Sequence, residues 1–200
     1  MPLYVSRTWM EGPDELLEVL MARYVAGDIQ AFDALYARVA PRVFAYLISM
    51  CRNQERANDV CQTTFLKLHR ARNGWIPGSP LMPWLMAIAR NTLLDEVRRR
   101  ARSRGEMTAT GEVPEVADPE DPSSRLSEQE QLSSTAEALT RAIEALVAPQ
   151  REALLLTKES GLSIREAAQV LGTTETAVKL RVHRAYTALR GALKSEAEEA

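Results

Sequence analysis

The segment from residue 160 to residue 193 constrains the fold of this 200-residue chain more than any other part of its sequence. Ala168 and Gly172 stand four residues apart, which suits two helices that touch across a tight turn, because the contact needs a small residue and the turn needs a positive φ. Ser163 and Glu166 form an S-x-x-E capping box before the first of these helices. The segment therefore predicts a helix-turn-helix that reads duplex DNA.

The second helix of this motif carries most of the predicted DNA contacts. Val178 and Val182 lie four residues apart and should pack inward, so that the opposite face enters the major groove. The predicted contacts to base edges are Thr174, Glu175, Thr176, Lys179, Leu180 and His183. The predicted contacts to phosphates are Arg165, Arg181, Arg184 and Arg190. The alternative is a four-helix bundle whose arginine-rich last helix is only a solvated face.

A second basic region lies in the N-terminal half, on a helix predicted for residues 84–102. Five arginines occur between Val97 and Arg104. One stripe of the helix consists of Asn91, Asp95, Arg98 and Arg102. A basic stripe with polar neighbours suits contact with DNA, although arginines at a helix C-terminus are also favoured by the helix dipole. Trp75 and Trp84 could stack on unpaired bases beside it, but for Trp84 we favour a core position.

The helix predicted for residues 57–72 has an outward face that combines polar side chains with one leucine. Its outward side chains are Asp59, Gln62, Thr63, Leu66 and Lys67. Polar groups around an exposed leucine suit contact with another protein, and an ordinary surface helix is the equal alternative.

Charge and composition divide the chain into blocks. Residues 1–104 carry a net charge of +5, residues 105–149 of −8 and residues 150–194 of +4. DNA responds to these local fields rather than to the whole-chain charge of −2. Residues 105–134 are rich in Pro, Gly, Ser, Thr and acidic residues and cannot bury a core. We predict an all-α fold with an N-terminal tail (1–13), a helical domain (14–104), a flexible acidic linker (105–134), a second helical domain (135–194) and an acidic tail (195–200).

Helical periodicity and punctuating residues give the expected helix boundaries. Asp28 is the predicted N-cap of the second helix, and Pro41 is expected to kink or restart that helix. The predicted ranges are 14–26, 28 to a break at 53–58, 57–72, 84–102, 135–147, 149–160, 163–171 and 174–193.

Several classes of protein are excluded by the composition. No apolar run reaches the ~18 residues of a membrane span, and we expect no secretory signal because the N-terminus lacks its apolar core. Cys51 and Cys61 are the only cysteines, which fits a reducing cytosol. A metal enzyme built on these two thiols, His69 and His183 is rejected because the four residues lack ligand spacing. We predict no catalytic residue, no metal and no cofactor.

Longer segments of the chain resemble a known family. GDIQAFDALYARVAPRVFAYL, NDVCQTTFLKLHRA and PWLMAIARNTLLDEVRRRAR resemble region 2 of extracytoplasmic-function (group 4) sigma factors. LVAPQREALLLTKESGLSIREAAQVLGTTETAVKLRVHRAYTALR resembles their region 4. The resemblance covers residues 14–104 and 135–193. It implies a promoter-recognition subunit without a catalytic site, whereas the alternative is a stand-alone helix-turn-helix regulator that acts without tight binding to core polymerase.

The resemblance also implies roles for individual residues. The surface that would dock on the β′ clamp helices of core RNA polymerase consists of Asp59, Val60, Gln62, Thr63, Phe65 and Leu66. The loop before the basic helix would capture a base flipped from the -10 element, and the helix would support strand opening. The implied -10 contacts are Trp75, Ser79, Leu81, Met82, Arg90, Asn91, Asp95, Arg98, Arg99 and Arg100. Lys179, Leu180 and His183 match the family's -35 readers, with leucine where the family has a polar residue.

The resemblance extends to partners and location. It implies contact with the β flap of polymerase in addition to the β′ clamp helices, and binding of promoter DNA. The acidic linker would thread toward the RNA-exit channel. An anti-sigma factor inserted between the two domains would hold the protein inactive. We expect a cytoplasmic bacterial protein, which an anti-sigma factor can hold at the inner membrane.

Overall fold

The computed structural model describes residues 16–103 and 134–199, and helices account for the regular structure in both stretches. The α-helices are α1 (Leu17–Val25), α2 (Ile29–Cys51), α3 (Gln54–Ala71), α4 (Leu81–Ser103), α5 (Ser134–Ala145), α6 (Ala148–Lys158), α7 (Ile164–Leu171) and α8 (Glu175–Glu199). A 3-10 turn follows α3 at Arg72–Gly74. The all-α prediction is confirmed for these residues, whereas the predicted N-terminal tail and nearly all of the predicted linker lie outside them.

Side-chain caps set the starts of two helices in the N-terminal domain. Asp28 Oδ1 accepts a hydrogen bond from the Ala31 amide at 3.2 Å and caps α2, as predicted. Asn53 Oδ1 accepts one from the Arg56 amide at 2.8 Å. Because of this second cap, α3 begins three residues earlier than predicted, and the expected break at 53–58 is too long.

Prolines interrupt these helices less than the sequence predicted. α2 continues through Pro41, so the predicted restart there is wrong. Val39 and Val43 on either side are fully buried, and their packing offsets the main-chain hydrogen bond that proline removes. α4 begins at Leu81 rather than at residue 84, because Pro83 falls in its first turn, where the missing N–H has no helical partner to lose.

α7 and α8 form the predicted helix-turn-helix. Ser163 Oγ accepts a hydrogen bond from the Glu166 amide at 3.2 Å, and Glu166 Oε2 accepts one from the Ser163 amide at 2.8 Å, which confirms the capping box. Gly172 ends α7 with a φ of 63°, a conformation that glycine adopts without strain. Thr174 Oγ1 accepts a hydrogen bond from the Ala177 amide at 3.1 Å and caps α8. Local bonds therefore set both helix starts of the motif.

One apolar core runs through both halves of the molecule. It includes Leu47 and Leu85 from the N-terminal helices and Leu156 and Ala167 from α6 and α7, all fully buried. Between the halves, α2 packs on α6 and α4 packs on α7. A smaller cluster holds α5 and α8 against α6, and it consists of Ala142, Leu146, Leu154, Ala185 and Leu189. The two domains of the sequence thus share a packed interface, which nothing in the local sequence pattern indicated.

Candidate nucleic-acid interface

The outer face of α8 presents the side chains that the sequence predicts to read base edges. Val178 on the opposite side is fully buried, so packing against the core fixes which face points outward. Leu180 is 46% exposed although it is apolar. The exposed members of the face are Thr174, Glu175, Thr176, Lys179, Leu180 and His183. All six predicted base readers therefore lie on the surface, as a groove-reading helix requires.

The cations around this face are open to phosphates. Arg165, Lys179, Arg184 and Arg190 are exposed, and within the described residues none of these four forms an ion pair. Arg181, which was also predicted to contact phosphate, is half-buried. A cation without a carboxylate partner can bind a DNA phosphate without first breaking an ion pair. The α8 face is in this sense already prepared for a polyanion.

The predicted stripe on α4 is on the surface, but its cations have partners. All four members of the stripe, Asn91, Asp95, Arg98 and Arg102, are exposed. Asp95 Oδ2 lies 2.9 Å from Lys67 Nζ of α3, and Asp95 Oδ1 lies 3.7 Å from an Arg98 guanidinium nitrogen. The carboxylate of Asp95 therefore neutralises part of the positive field along this helix.

Glu96 has the same effect on the next two arginines. Its Oε2 lies 2.8 Å from Arg99 Nε and its Oε1 lies 2.7 Å from Arg100 Nε. The hydrogen bond from Arg99, followed by that from Arg100, lowers the pKa of Glu96 to about 2. This carboxylate stays ionised at neutral pH, and phosphates must compete with it for both guanidinium groups.

Three of the predicted -10 contacts are buried in this structure, and their contact with DNA stays a prediction. Trp75 is 4% exposed and belongs to the core. Leu81 is fully buried. The Leu81 amide donates a hydrogen bond to Glu18 Oε1 at 3.1 Å, which holds the start of α4 against α1. Arg90 is 7% exposed and pairs with Glu152 of α6 at 3.0 Å. The exposed apolar residue of this loop is instead Ile76.

The remaining predicted -10 residues lie at or near the surface. Ser79 is half-buried, and its hydroxyl donates to the Ile76 carbonyl at 2.6 Å, which holds the loop in a turn. Met82 is half-buried, as is Arg100, while Arg99 is exposed. Trp84 is half-buried against the core, the position that we favoured for it.

The α3 surface matches its predicted outward face. Asp59, Gln62, Thr63 and Leu66 are exposed, with Leu66 at 57%. Val60 and Phe65, the other two residues of the implied docking surface, are buried beneath this face, and their part in polymerase binding stays a prediction. An open cavity of about 250 Å³ separates α3 from α4, and it is lined by Asp59, Val60, Thr63, Lys67, Thr92, Asp95, Glu96 and Arg99.

Tyr36 of α2 extends this surface and was missed from the sequence. It is 44% exposed, and its ring centroid lies 4.6 Å from that of Phe65. The signal available in the sequence was an aromatic residue at the edge of an otherwise apolar helical stripe, which periodicity alone assigns to the core. Tyr36 and Leu66 are both exposed apolar side chains, and Tyr36 is linked to α3 through its contact with the Phe65 ring.

The thiols and the histidines do not converge. Burial raises the pKa of the Cys51 and Cys61 thiols to about 11 each, so both stay protonated at neutral pH. His69 Nδ1 faces the Tyr24 hydroxyl, while His183 lies on α8. No group of three or more potential metal ligands occurs among the described residues. No described helix is long and apolar enough to cross a membrane.

The chain matches two family profiles and several known proteins. The profiles are Sigma-70 region 2 over residues 35–103 and Sigma-70, region 4 over residues 136–189. The RNA polymerase sigma factor CarQ of Myxococcus xanthus is 37% identical over 174 residues, which are 85% of this chain and 93% of CarQ. The ECF RNA polymerase sigma factor EcfG of Rhodopseudomonas palustris is 33% identical over 163 residues, which are 80% of this chain and 83% of EcfG.

Solved structures give the same result. The sigma factor RpoE of Bartonella quintana, in complex with the anti-sigma factor NepR, aligns with a TM-score of 0.63 and 29% identity over 83% of this chain and 98% of RpoE. CnrH, in complex with the cytosolic domain of CnrY, aligns with a TM-score of 0.61 and 26% identity over 89% of this chain and 97% of CnrH. The chain therefore belongs to the extracytoplasmic-function group of the sigma-70 family of RNA polymerase sigma factors. Proteins of this family act in transcription initiation, bind DNA and are not enzymes.

Proposed function

We propose that this sigma factor binds core RNA polymerase, recognises a -10 and a -35 promoter element and helps to open the DNA. The observation that carries the proposal is the presence of two separate DNA-facing surfaces, an exposed cationic face on α8 and an arginine stripe on α4. Each surface lies in the part of the chain that matches the corresponding sigma-70 region. A grip at two places gains affinity from the tether between them.

The outer face of α3 is the proposed contact with core polymerase. Asp59, Gln62, Thr63 and Leu66 are exposed along one side of the helix, and Leu66 supplies an apolar centre among polar groups. This combination is typical of the centre and rim of a protein interface. Val60 and Phe65 support the face from the core. The β′ clamp helices are the expected partner here, with the β flap contacting the C-terminal domain.

The α8 face is the proposed reader of the -35 element. Lys179 can donate to guanine, and the exposed Leu180 side chain can pack on the methyl group of thymine. Arg165 and Arg184 flank them and would hold the phosphates on either side. Because Leu180 stands where the family has a polar residue, we expect the -35 element to contain a thymine. The helix would recognise the methyl group of this thymine by apolar contact rather than by a hydrogen bond.

The α4 surface is the proposed site for the -10 element. Asn91, Arg98 and Arg99 are exposed and can contact the displaced strand once the pairs with Asp95 and Glu96 are exchanged for phosphates. Unstacking a base costs a few kcal/mol, which binding to the loop before α4 would offset. Polymerase supplies the chemistry.

Control by an anti-sigma factor is the proposed regulation. The structural relative RpoE is in complex with the anti-sigma factor NepR. An anti-sigma factor of this chain would cover the exposed apolar side chains of Tyr36 and Leu66 or separate the two domains. A cytoplasmic location, with retention at the inner membrane when the anti-sigma factor is membrane-bound, belongs to the same proposal.

Binding to purified core RNA polymerase tests this function against the alternative of a stand-alone regulator. We expect the chain to co-elute with core polymerase and Leu66→Asp to weaken that complex at least tenfold, since it places a charge at the centre of the contact. Gln54→Asp, which adds a charge to an exposed position at the start of α3, is the matched control. A chain that ignores polymerase but shifts promoter DNA alone and protects a single palindrome would be a stand-alone regulator.

A further inference from the structure

The first helix of the structure, α1, holds both ends of the loop that connects α3 to α4. At the downstream end, Glu18 Oε1 accepts a hydrogen bond from the amide of Leu81, the residue at which α4 begins, at 3.1 Å. Pro80, the residue before it, has no side-chain oxygen that could cap this helix. The carboxylate of Glu18 therefore caps α4 from another helix, and its negative charge suits a helix N-terminus.

Tyr24 of α1 holds the upstream end of the same loop. Its hydroxyl forms a hydrogen bond with His69 Nδ1, and the guanidinium carbon of Arg72 lies 5.8 Å from the centroid of its ring. Arg72 Nη1 donates to the His69 carbonyl at 2.6 Å, and the Arg72 carbonyl accepts a hydrogen bond from the Trp75 amide at 3.2 Å. Because Tyr24 is only 2% exposed, these bonds tie the loop to the core.

Between these two ends the chain forms a tight turn over residues 76–79, which we call the loop turn. The Ser79 amide donates to the Ile76 carbonyl at 3.0 Å, and the Ser79 hydroxyl donates to the same oxygen at 2.6 Å. Pro77 and Gly78 occupy the central positions, and Gly78 has a φ of 82°. Proline followed by glycine at positive φ is the pattern of a type II turn. The local sequence therefore fixes the shape of the loop turn.

The loop turn presents an apolar side chain to solvent. Ile76 is 72% exposed, the highest value among the large hydrophobic residues that the structure describes. Its flanking anchors Trp75 and Leu81 are buried, so the loop turn cannot shift without breaking core contacts. Apolar side chains such as isoleucine pack against bases that have lost their stacking. A base that leaves the duplex would meet a loop that is already ordered, and binding would not have to order it.

We propose that α1 positions the loop turn for the -10 element, and that Glu18 and Tyr24 are the positioning residues that set where Ile76 meets the unpaired base. Tyr24 is buried and Glu18 bonds to the main chain, so both act through the loop rather than by touching DNA. α1 lies outside residues 35–103, the stretch that matches Sigma-70 region 2. The inference rests on the proposed function, because it names the residues that hold the proposed -10 site in place.

Binding of single-stranded DNA by the holoenzyme tests this inference. The probe is the non-template strand of the -10 sequence shared by the transcripts that core polymerase makes with this protein. An abasic site at each position in turn identifies the base that the wild type captures. We expect Glu18→Ala to weaken binding of the intact strand about fivefold, the effect of one lost hydrogen bond, and to leave binding of the strand without the captured base unchanged.

Two further variants accompany Glu18→Ala. Glu18→Gln keeps an acceptor oxygen for the Leu81 amide and should restore most of the affinity for the intact strand. Asp33→Ala removes a carboxylate from an exposed position of α2 and is the matched control, with no expected change in affinity. Glu18→Ala with the affinity of the wild type for the intact strand would overturn the inference.

A double-mutant cycle separates positioning from a general loss of stability. Ile76→Ala alone should weaken binding of the intact strand about tenfold, because most of the apolar contact with the base is lost. If Glu18 acts through the loop turn, Glu18→Ala combined with Ile76→Ala weakens binding no more than Ile76→Ala alone. Additive losses, about fiftyfold in the double variant, would overturn the inference.

Circular dichroism and a second variant keep the test decisive. Should Glu18→Ala lose its helical signal, Tyr24→Phe is read instead, because it removes only the hydroxyl that bonds His69 and keeps the ring beside Arg72. We expect it to weaken binding of the intact strand about threefold. Tyr186→Phe, at an exposed position of α8, is its control. A helical Tyr24→Phe with wild-type affinity would then overturn the inference.

The wild-type holoenzyme itself tests the proposed function separately. If it binds the intact strand and every abasic strand with equal affinity, no base is captured and the proposed -10 site is wrong. If it prefers the intact strand but neither Glu18→Ala nor Tyr24→Phe reduces that preference, the -10 site stands and the role of α1 is overturned.

Discussion

The two helices proposed to contact DNA, α4 and α8, differ in how their cations are held. On α8, Lys179 and Arg184 are exposed and form no ion pair within the described residues. On α4, Arg99 and Arg100 share the carboxylate of Glu96, and Arg90 is bound by the other domain. The cations of α8 would bind duplex DNA without breaking ion pairs, whereas those of α4 would have to exchange carboxylate partners for phosphates.

This difference fits the order of events that promoter binding requires. Duplex recognition at the -35 element needs only a rigid helix and available cations. We expect engagement of the -10 element to accompany strand opening, when the displaced strand would bring phosphates close to α4. Paired arginines reduce unspecific attraction of the free protein to DNA. We expect the two surfaces to respond differently to the same kinds of substitution.

The largest effect should come from destroying the framework that presents α8. Val178 is fully buried, and Val178→Asp places an unpaired charge in the core of the helix-turn-helix. We expect loss of -35 duplex binding by at least a hundredfold in a mobility-shift assay. Ala188→Asp adds the same charge at an exposed position of α8 outside the predicted DNA contacts and should lose far less affinity. A Val178→Asp protein that keeps its affinity would show that α8 is not the reader.

Removing the unpaired cations of α8 should weaken binding uniformly. Arg184→Ala with Arg190→Ala, which removes two predicted phosphate contacts, is expected to reduce affinity for the -35 duplex by about tenfold or more, and to lower the slope of log K against log salt by about 2. Lys194→Ala, at an exposed position further along the same helix, should change the slope by less than 1. Equal slopes for all three proteins would contradict the role given to these cations.

Leu180 allows a test on the DNA as well as on the protein. The preferred -35 sequence is first selected from a random DNA library. The thymine expected to contact Leu180 is then replaced by deoxyuridine, which removes only its methyl group. We expect the wild type to lose about fivefold in affinity, consistent with one lost apolar contact. Leu180→Ala should bind both duplexes equally. If the wild-type protein binds the thymine and deoxyuridine duplexes with equal affinity, Leu180 does not contribute to base recognition.

The smallest effect should come from Glu96. Its pKa is lowered to about 2 from an ordinary value near 4.5, so its bonds to Arg99 and Arg100 stabilise the fold above about pH 4.5, and this contribution is lost as the pH falls toward 2. Urea unfolding should show Glu96→Gln to be less stable by up to about 1 kcal/mol at pH 6, because the arginine partners are largely exposed. The stabilities of the two proteins should converge only below about pH 2, where Glu96 is protonated in the folded protein as well.

The same Glu96→Gln variant also probes the comparison between the helices. It releases Arg99 and Arg100, so affinity for single-stranded DNA should rise about twofold at low salt, since one negative charge is removed beside the strand. Asp33→Asn removes a charge from an exposed position of α2 and is the control. Unchanged binding by Glu96→Gln would mean that the ion pairs on α4 do not mask its arginines.

The parts of the structure that were correctly predicted are those set by neighbours in the sequence. The capping box of Ser163 and Glu166, the turn at Gly172 and the inward position of Val178 each depend on residues within about two helical turns. The exposed α4 stripe was found for the same reason. Local periodicity carries this information, and no long-range packing overrides it at these positions.

The burial of Trp75, Leu81 and Arg90, which the sequence did not indicate, has the opposite cause. Leu81 is tied to Glu18, 63 residues away, and Arg90 to Glu152, 62 residues away. No spacing rule relates such partners, and a basic residue on a helix is ordinarily assigned to the surface. The burial of these three residues follows from tertiary packing. The sequence could therefore place the motifs but not show which of their side chains the fold withdraws from solvent.

Sequencing the transcripts that core RNA polymerase makes with this protein on genomic DNA of its own host tests the central claim most directly. The account predicts new start sites above those of core alone, each preceded by one shared -10 and one shared -35 sequence, and their loss with Lys179→Ala and Arg184→Ala combined. Start sites identical to those of core polymerase alone, or new starts without a common upstream pair of elements, would contradict it.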